Sequence, residues 1–334
     1  MELLVMVIGF AFAAYSVVGN DVIQTLGTFL SSNEDKKWYI LWAYVGAIMA
    51  AVLVIGWLGG DVSYGRLDKI AVPAHFSWWF VLPPLTLLFI TRLGVPVSTT
   101  FLILSVFSVI GTDMNASEML STDSMIGKML KKSLQGYVLA FGTACVVYLG
   151  VSRLFERRFI QSEMTLQEER VWTVLQWLST GFLWSQWLSQ DLANVYVYLP
   201  RQLGAMEFVG SVVLLVGLLG YIMYSRGGAV QKVVLSKTNT TDIRSATTID
   251  FIYGVILLVF KYNIAGIIEG KIPMSTTWVF IGLLAGREFM ISLMLQSPKL
   301  QHVTRVVSLD LAKVVLGLIV SIALVFVIVF AESL

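Results

Sequence analysis

Two aspartates stand inside otherwise apolar sequence. Asp21 lies in Gly19-Asn20-Asp21-Val22-Ile23-Gln24, and Asp191 lies in Ser189-Gln190-Asp191-Leu192-Ala193-Asn194. A carboxylate within a membrane segment costs about 2.5–3.5 kcal/mol on insertion scales, and such residues by default mark ion or substrate pathways. The chemistry they suit is coordination of a hard cation such as Na+. The amides of Asn20, Gln24, Gln190 and Asn194 supply further oxygens. The blander reading is that each aspartate caps a helix near the interface.

Two Ser-Thr-Thr triplets form the second candidate group. They are Ser98-Thr99-Thr100 after Pro96-Val97, and Ser275-Thr276-Thr277 after Pro273-Met274. Proline suits the first turn of a helix, where its missing N–H costs nothing. Pro96 and Pro273 therefore predict helix starts, with the hydroxyls in the first turn. A helix N-terminus offers free N–H groups and a positive dipole end, which suit an anion. Two such ends facing each other would cradle a tetrahedral oxyanion. The alternative is that the hydroxyls only cap or bond back to the helix backbone. Arg92 and Lys261 each end an apolar run upstream of a triplet. Snorkelling to lipid headgroups is favoured for both over steering an anion.

The elements that position these residues are expected to be membrane helices. The chain has 334 residues, 57% apolar and 13% charged, with a mean hydropathy of +0.80. A soluble domain is about 25% charged, so these charges are too few to cover a water-exposed surface. The net charge of +2 gives no field for nucleic acid. One cysteine, Cys145, excludes an internal disulfide, and two separated histidines exclude zinc chemistry of the His-Glu-x-x-His type. No nucleophile–base pair or nucleotide loop is present, which argues against an enzyme. The N-terminus, with no basic region and no cleavage site, reads as a retained membrane helix.

Plain membrane runs are expected at Leu3–Val18, Trp38–Leu58, Trp78–Leu93, Ser133–Val151, Val171–Leu188, Phe208–Tyr224, Ile249–Ile268 and Val307–Phe330. Four further stretches, Gly19–Leu30, Pro96–Ile110, Ser189–Leu203 and Pro273–Gly286, are apolar but carry the candidate residues. Gly19–Leu30 would reach only about 18 Å as a helix, short of a core of about 30 Å. These stretches are expected to be half-helices or re-entrant segments. Irregular backbone at membrane depth survives only where it is buried in protein or lines a cavity.

The aspartates are 170 residues apart and the triplet serines 177, each close to half the chain. Internal duplication with interrupted helices at matching places is a signature of secondary transporters, with the site near the midplane. The expected organisation is an N-terminal repeat over 1–152, a polar linker over 153–170 and a C-terminal repeat over 171–334. The fold class is an all-α polytopic membrane protein, with two inverted repeats whose broken helices meet at one site. Ser225–Arg244 carries four basic residues against two in its counterpart Gly59–His75, which places the former in the cytoplasm.

These motifs resemble those of the inorganic phosphate transporter (PiT) family, which also includes sulfate permeases. That family carries a G-A-N-D-V-A-N-type and a P-V-S-T-T-H-type motif in each of two inverted repeats. The resemblance covers nearly the whole chain in order and spacing. Gln24 and Gln190 stand where the family usually has Asn, and Phe101 and Trp278 where it usually has His. The resemblance implies that Asp21, Asp191 and the neighbouring amides hold one or two coupling Na+ ions. It implies that Ser98, Thr99, Ser275 and Thr276 hold the anion, with Thr100 and Thr277 completing the triplets. The expected activity is cation-coupled symport of inorganic phosphate, with Na+ or H+ as the coupling ion and no resident cofactor. Alternatives are a permease for sulfate or another oxyanion, or a sensor that no longer transports. The expected partners are the oxyanion and the lipid bilayer, with a homodimer as one option. The expected location is the inner membrane of a bacterial or archaeal cell.

Overall fold

The computed structural model describes residues 2–92, 97–110, 112, 115–151, 164–226, 242–264, 271–294 and 300–332, and no strand occurs among them. The first half contains α1 (Glu2–Ser32), α2 (Trp38–Leu58), and a 3-10 turn (Trp78–Val81) that runs into α3 (Leu82–Arg92). A π-helical turn (Thr100–Leu104) then runs into α4 (Ser105–Val109), followed by the one-turn α5 (Ala116–Met119) and α6 (Met125–Val151). The second half contains α7 (Leu166–Asp191), the one-turn α8 (Ala193–Tyr196), α9 (Ala205–Tyr224), α10 (Ile243–Tyr262), α11 (Thr276–Met294) and α12 (Leu300–Glu332).

Among the described residues, seven helical stretches are long and apolar enough to cross a bilayer. The protein is an all-α polytopic membrane protein. α7 is long enough but too polar to count among the seven, since its last turns carry Ser185, Gln186, Ser189, Gln190 and Asp191. Its buried face, which includes Gln176, Ser179, Thr180 and Asp191, looks into protein rather than lipid. Its first turn takes in Leu166–Arg170, the end of the expected linker. The rest of that linker, 152–163, lies outside the described residues, as does 227–241 of the loop used for orientation.

Two of the four expected half-helices are not half-helices. α1 is one unbroken helix through Gly19–Leu30. Its polar side chains are satisfied without breaking the backbone ladder. Asn20 and Asp21 bond to the first triplet segment, while Thr25 donates to the carbonyls of Asp21 and Val22 at 3.2 and 3.0 Å. α11 likewise runs 19 residues from Thr276, long enough to span. The other two expectations agree with the structure. The stretch after Ser98 makes only a short helix over Thr100–Val109, and α7 ends at Asp191 before the single turn of α8.

Helix packing is reciprocal between the halves. α1 packs on α3 as α7 packs on α10, and α1 packs on α9 as α2 packs on α7. α6 lies along α11, while α12 lies on α4 and the π-turn before it. Each half thus lends its last long helix to the triplet helix of the other. The α6–α11 contact is close because of Gly282 and Gly286. A Cβ at either would collide with the backbone carbonyl oxygen of Tyr137 or Phe141, the small-xxx-small geometry by which membrane helices pack at short range.

Candidate functional site

The unbroken α1 carries Asp21 fully buried, roughly two thirds of the way along its length. Its Oδ1 accepts from Asn20 Nδ2 at 2.7 Å and from Gln24 Nε2 at 3.5 Å, and its Oδ2 accepts from the Thr99 hydroxyl at 2.7 Å. Asn20 Nδ2 also donates to the Val97 carbonyl at 3.2 Å, and Asn20 Oδ1 accepts from Thr91 at 3.3 Å. α1 is thereby stitched to both sides of the first triplet's entry.

Asp191 ends α7, also buried. Its Oδ1 accepts from Asn194 Nδ2 at 3.1 Å and from the Thr100 hydroxyl at 3.4 Å. Asn194 Nδ2 reaches Thr99 Oγ1 at 2.9 Å and Thr100 Oγ1 at 3.3 Å as well. A continuous chain therefore runs from Asp21 through Thr99 and Asn194 to Asp191. It joins residues from α1, the first triplet and the break after α7. The two carboxylates interact electrostatically. Asp191 Oδ2 and Asn194 Oδ1 are buried acceptors with no well-formed hydrogen bond among the described residues, although the Thr276 hydroxyl lies beside that carboxylate. Thr276 and Thr99 occupy matching places in the two triplets, so each triplet sets its central threonine against its own half's aspartate.

The serines have a different job. Ser98 Oγ accepts from Phe101 N, and Ser275 Oγ accepts from Trp278 N, both at 3.2 Å. They are N-caps, and neither hydroxyl donates a hydrogen bond among the described residues. Pro273 accordingly precedes the cap of α11 instead of sitting in its first turn; Pro96 and the Arg92 side chain lie outside the described residues. Thr277 is buried in the first turn of α11 and gives no hydrogen bond to either aspartate among the described residues. Phe101 and Trp278 meet, with ring centroids 6.0 Å apart. Lys261 does not simply reach for headgroups. Its Nζ lies 4.9 Å from the Tyr64 ring and its charge is felt by Arg66.

Three buried charges belong to this region and were not singled out by sequence pattern. Arg66 donates from Nη2 to Gln190 Oε1 at 3.1 Å and from Nη1 to the Ile272 carbonyl at 3.2 Å. Gln190 is thus engaged by Arg66 through its oxygen, while its Nε2 donates to the Leu257 carbonyl at 3.1 Å. Arg66 reaches inward because Gly60, Tyr64 and Gly65 adopt positive φ. Asp61 holds the turn by accepting from Ser63 N at 2.7 Å and from Gly65 N. Lys132, on α6, donates to the same Ile272 carbonyl at 2.5 Å. Asp250 accepts from Thr28 of α1 at 2.7 Å and from Thr180 of α7 at 2.6 Å. It lies just inside the run Ile249–Ile268, where the insertion-cost argument used for Asp21 applies equally. The contact Thr28–Asp250 has a partner 170 residues away, where the Tyr198 hydroxyl donates to the Phe80 carbonyl at 2.9 Å.

Among the described residues no three His, Cys, Asp or Glu side chains converge. A cation at either aspartate would therefore complete its shell with amide, hydroxyl or carbonyl oxygens, the ligands a hard ion accepts.

No protein-family model and no curated sequence matches the chain. A solved structure, described as the sodium-dependent phosphate transporter, is similar to it with a TM-score of 0.60 at 15% identity, covering 97% of this chain and 96% of that one. At that identity the likeness is one of fold, and it extends over the whole membrane architecture described above.

Proposed function

We propose that the protein is a cation-coupled secondary transporter of inorganic phosphate, built as two inverted repeats over 1–152 and 171–334 with 153–170 between them. The observation that carries this reading is the hydrogen-bonded chain Asp21–Thr99–Asn194–Asp191. Two like charges held together in a low-dielectric interior are stable only if a cation or proton compensates them. Asp191 Oδ2 and Asn194 Oδ1, two buried oxygens with no well-formed hydrogen bond among the described residues, are oxygens of the kind a desolvated cation needs. Ser98, Thr99, Ser275 and Thr276, at two helix N-termini whose segments are joined by the Thr100 hydroxyl donating to the Met274 carbonyl at 3.2 Å, would hold the anion. A cation beside the anion offsets its charge, so each raises the affinity of the other by the same factor. That the similar solved structure is described as a sodium-dependent phosphate transporter agrees with this reading and favours Na+ over H+. No part of the reading calls for catalysis.

The test is uptake of labelled phosphate into proteoliposomes under an inward Na+ gradient or an inward H+ gradient, with sulfate and arsenate as competitors. Uptake driven by Na+ and blocked by arsenate is expected. Preferential block by sulfate would reassign the cargo, and tight phosphate binding without uptake would make the protein a sensor. Absence of both binding and uptake for every oxyanion would end the proposal.

A further inference from the structure

The segment Gly59–Ile70 follows α2 in the first half, yet it reaches across to the second. Arg66 donates to Gln190 Oε1 at 3.1 Å and to the Ile272 carbonyl at 3.2 Å. Asp68 pairs with Lys271, the Ile70 carbonyl accepts from Arg201 Nη2 at 3.2 Å, and Lys261 Nζ lies 4.9 Å from the Tyr64 ring. The segment has two faces. Val62, Ser63, Arg66, Leu67 and Ile70 are buried, while Asp68 and Lys69 are exposed. The buried face meets both parts of the candidate site. Gln190 adjoins Asp191, whose carboxylate attracts the Arg66 guanidinium. Ile272 lies three residues before Ser275, the cap of α11. The backbone here is a run of turns in place of a helix, with Arg66 N, Asp68 N and Ile70 N each bonding three residues back. Gly60, directly after the end of α2, takes a φ of +83°. Hinges are commonly such element-terminal residues.

We infer that Gly59–Ile70 is the gate on one side of the site, with Arg66 as its clasp. The inference rests on the transporter reading above and adds how that side is closed. In this structure the gate is shut. Water at Asp68 and Lys69 is separated from Asp191 and Ser275 by the contacts of Arg66. Opening turns the segment about Gly60 and parts Arg66 from Gln190 and from the Ile272 carbonyl together. Those partners belong to the cation side and the anion side respectively. One clasp therefore opens both sides in a single step, which keeps the two ligands from leaving separately.

The experiment uses the full chain carrying Cys145→Ser, Asp68→Cys and Lys271→Cys, in proteoliposomes with labelled phosphate and a Na+ gradient. A short bifunctional thiol reagent, reversed by reductant, joins the two new thiols. The ion pair they replace is exposed, and such pairs are worth about 0–1 kcal/mol, so the unjoined variant is expected to keep its uptake. Joining is expected to abolish uptake, and reduction to restore it. Either single variant is expected to be indifferent to the reagent. Full uptake by the joined protein would overturn the inference, because a merely structural turn tolerates the tether. A second arm reads access directly, in the same Cys145→Ser background. Met274→Cys, at a buried position beside Ser275, is expected to react faster with a water-soluble thiol reagent once Arg66→Ala is added. An unchanged rate in the folded double variant would overturn the inference too, and the tether arm decides if Arg66→Ala does not fold. A wild type that takes up no oxyanion would instead overturn the transporter reading, and the Met274 arm would still test the gate.

Discussion

Asp21 and Asp191 occupy matching places in α1 and α7, but their surroundings differ. Asp21 has a donor on each oxygen, and the helix that carries it runs on unbroken. Asp191 stands where its helix ends, with one oxygen bonded and the other without a well-formed donor. The amides differ in step. Gln24 reaches Asp21 only at 3.5 Å, while Asn194 reaches Asp191 at 3.1 Å and two threonines besides. A duplicated motif therefore supplies the same side chains twice, and the local backbone decides what each copy does. A continuous helix lets the first copy act as a latch on Thr99. The second copy sits at the end of its helix with Asp191 Oδ2 lacking a well-formed hydrogen bond among the described residues, which is the oxygen the proposed cation would take.

The largest expected effect tests that division directly. Asp191→Asn should abolish most of the dependence of phosphate affinity on Na+, which for typical coupling is about 5- to 150-fold. Asp21→Asn should weaken it less. Titration calorimetry at zero and saturating Na+ measures both, and equal losses would make the two half-sites equivalent. The next effect is on stability. Thr99→Val leaves Asp21 Oδ2 without its hydroxyl donor and cuts the link to Asn194, a loss worth about 1–3 kcal/mol when buried. Thr276→Val, which serves one half only, should cost less. Thermal unfolding in detergent with and without Na+ compares them, and a reversed order would place the hub in the second triplet. The smallest effect concerns the amides. Gln24→Ala should change stability and Na+ dependence within about 0.5 kcal/mol, as expected away from well-formed contacts. Asn194→Ala should be clearly worse on both measures. Similar losses from the two would mean that the 3.5 Å contact shortens when an ion is bound.

Much of this site was legible in the sequence because it consists of polar residues where lipid allows few. Asp21, Asp191, Asn194 and both triplets stand out on that ground, and the duplication pairs them. The unbroken course of α1 was not legible. Whether polar residues inside an apolar run break a helix depends on whether distant segments satisfy them, and Val97 and Thr99 do so here. Arg66 was hidden for the opposite reason. It sits in the polar stretch Gly59–His75, which reads as an aqueous loop, and only the turn built by Gly60, Asp61 and Gly65 folds it inward. The run Asp61-Val62-Ser63-Tyr64-Gly65 holds that turn signal. Gly282 and Gly286 likewise spell out a close helix contact, but not which helix fills it.

The exchange of long helices between the halves also bears on how the chain is made. α11 rests on α6, and α4 rests on α12, so the triplet helix of the first half finds its cover only when the last helix has been synthesised. Until then its neighbours must wait in the membrane with part of their packing missing, and contacts so distant in sequence form late. A chain stopped after α6 would expose the glycine-matched face of that helix with nothing to receive it. Neither half is therefore a self-sufficient unit of assembly, and the two mature together or not at all.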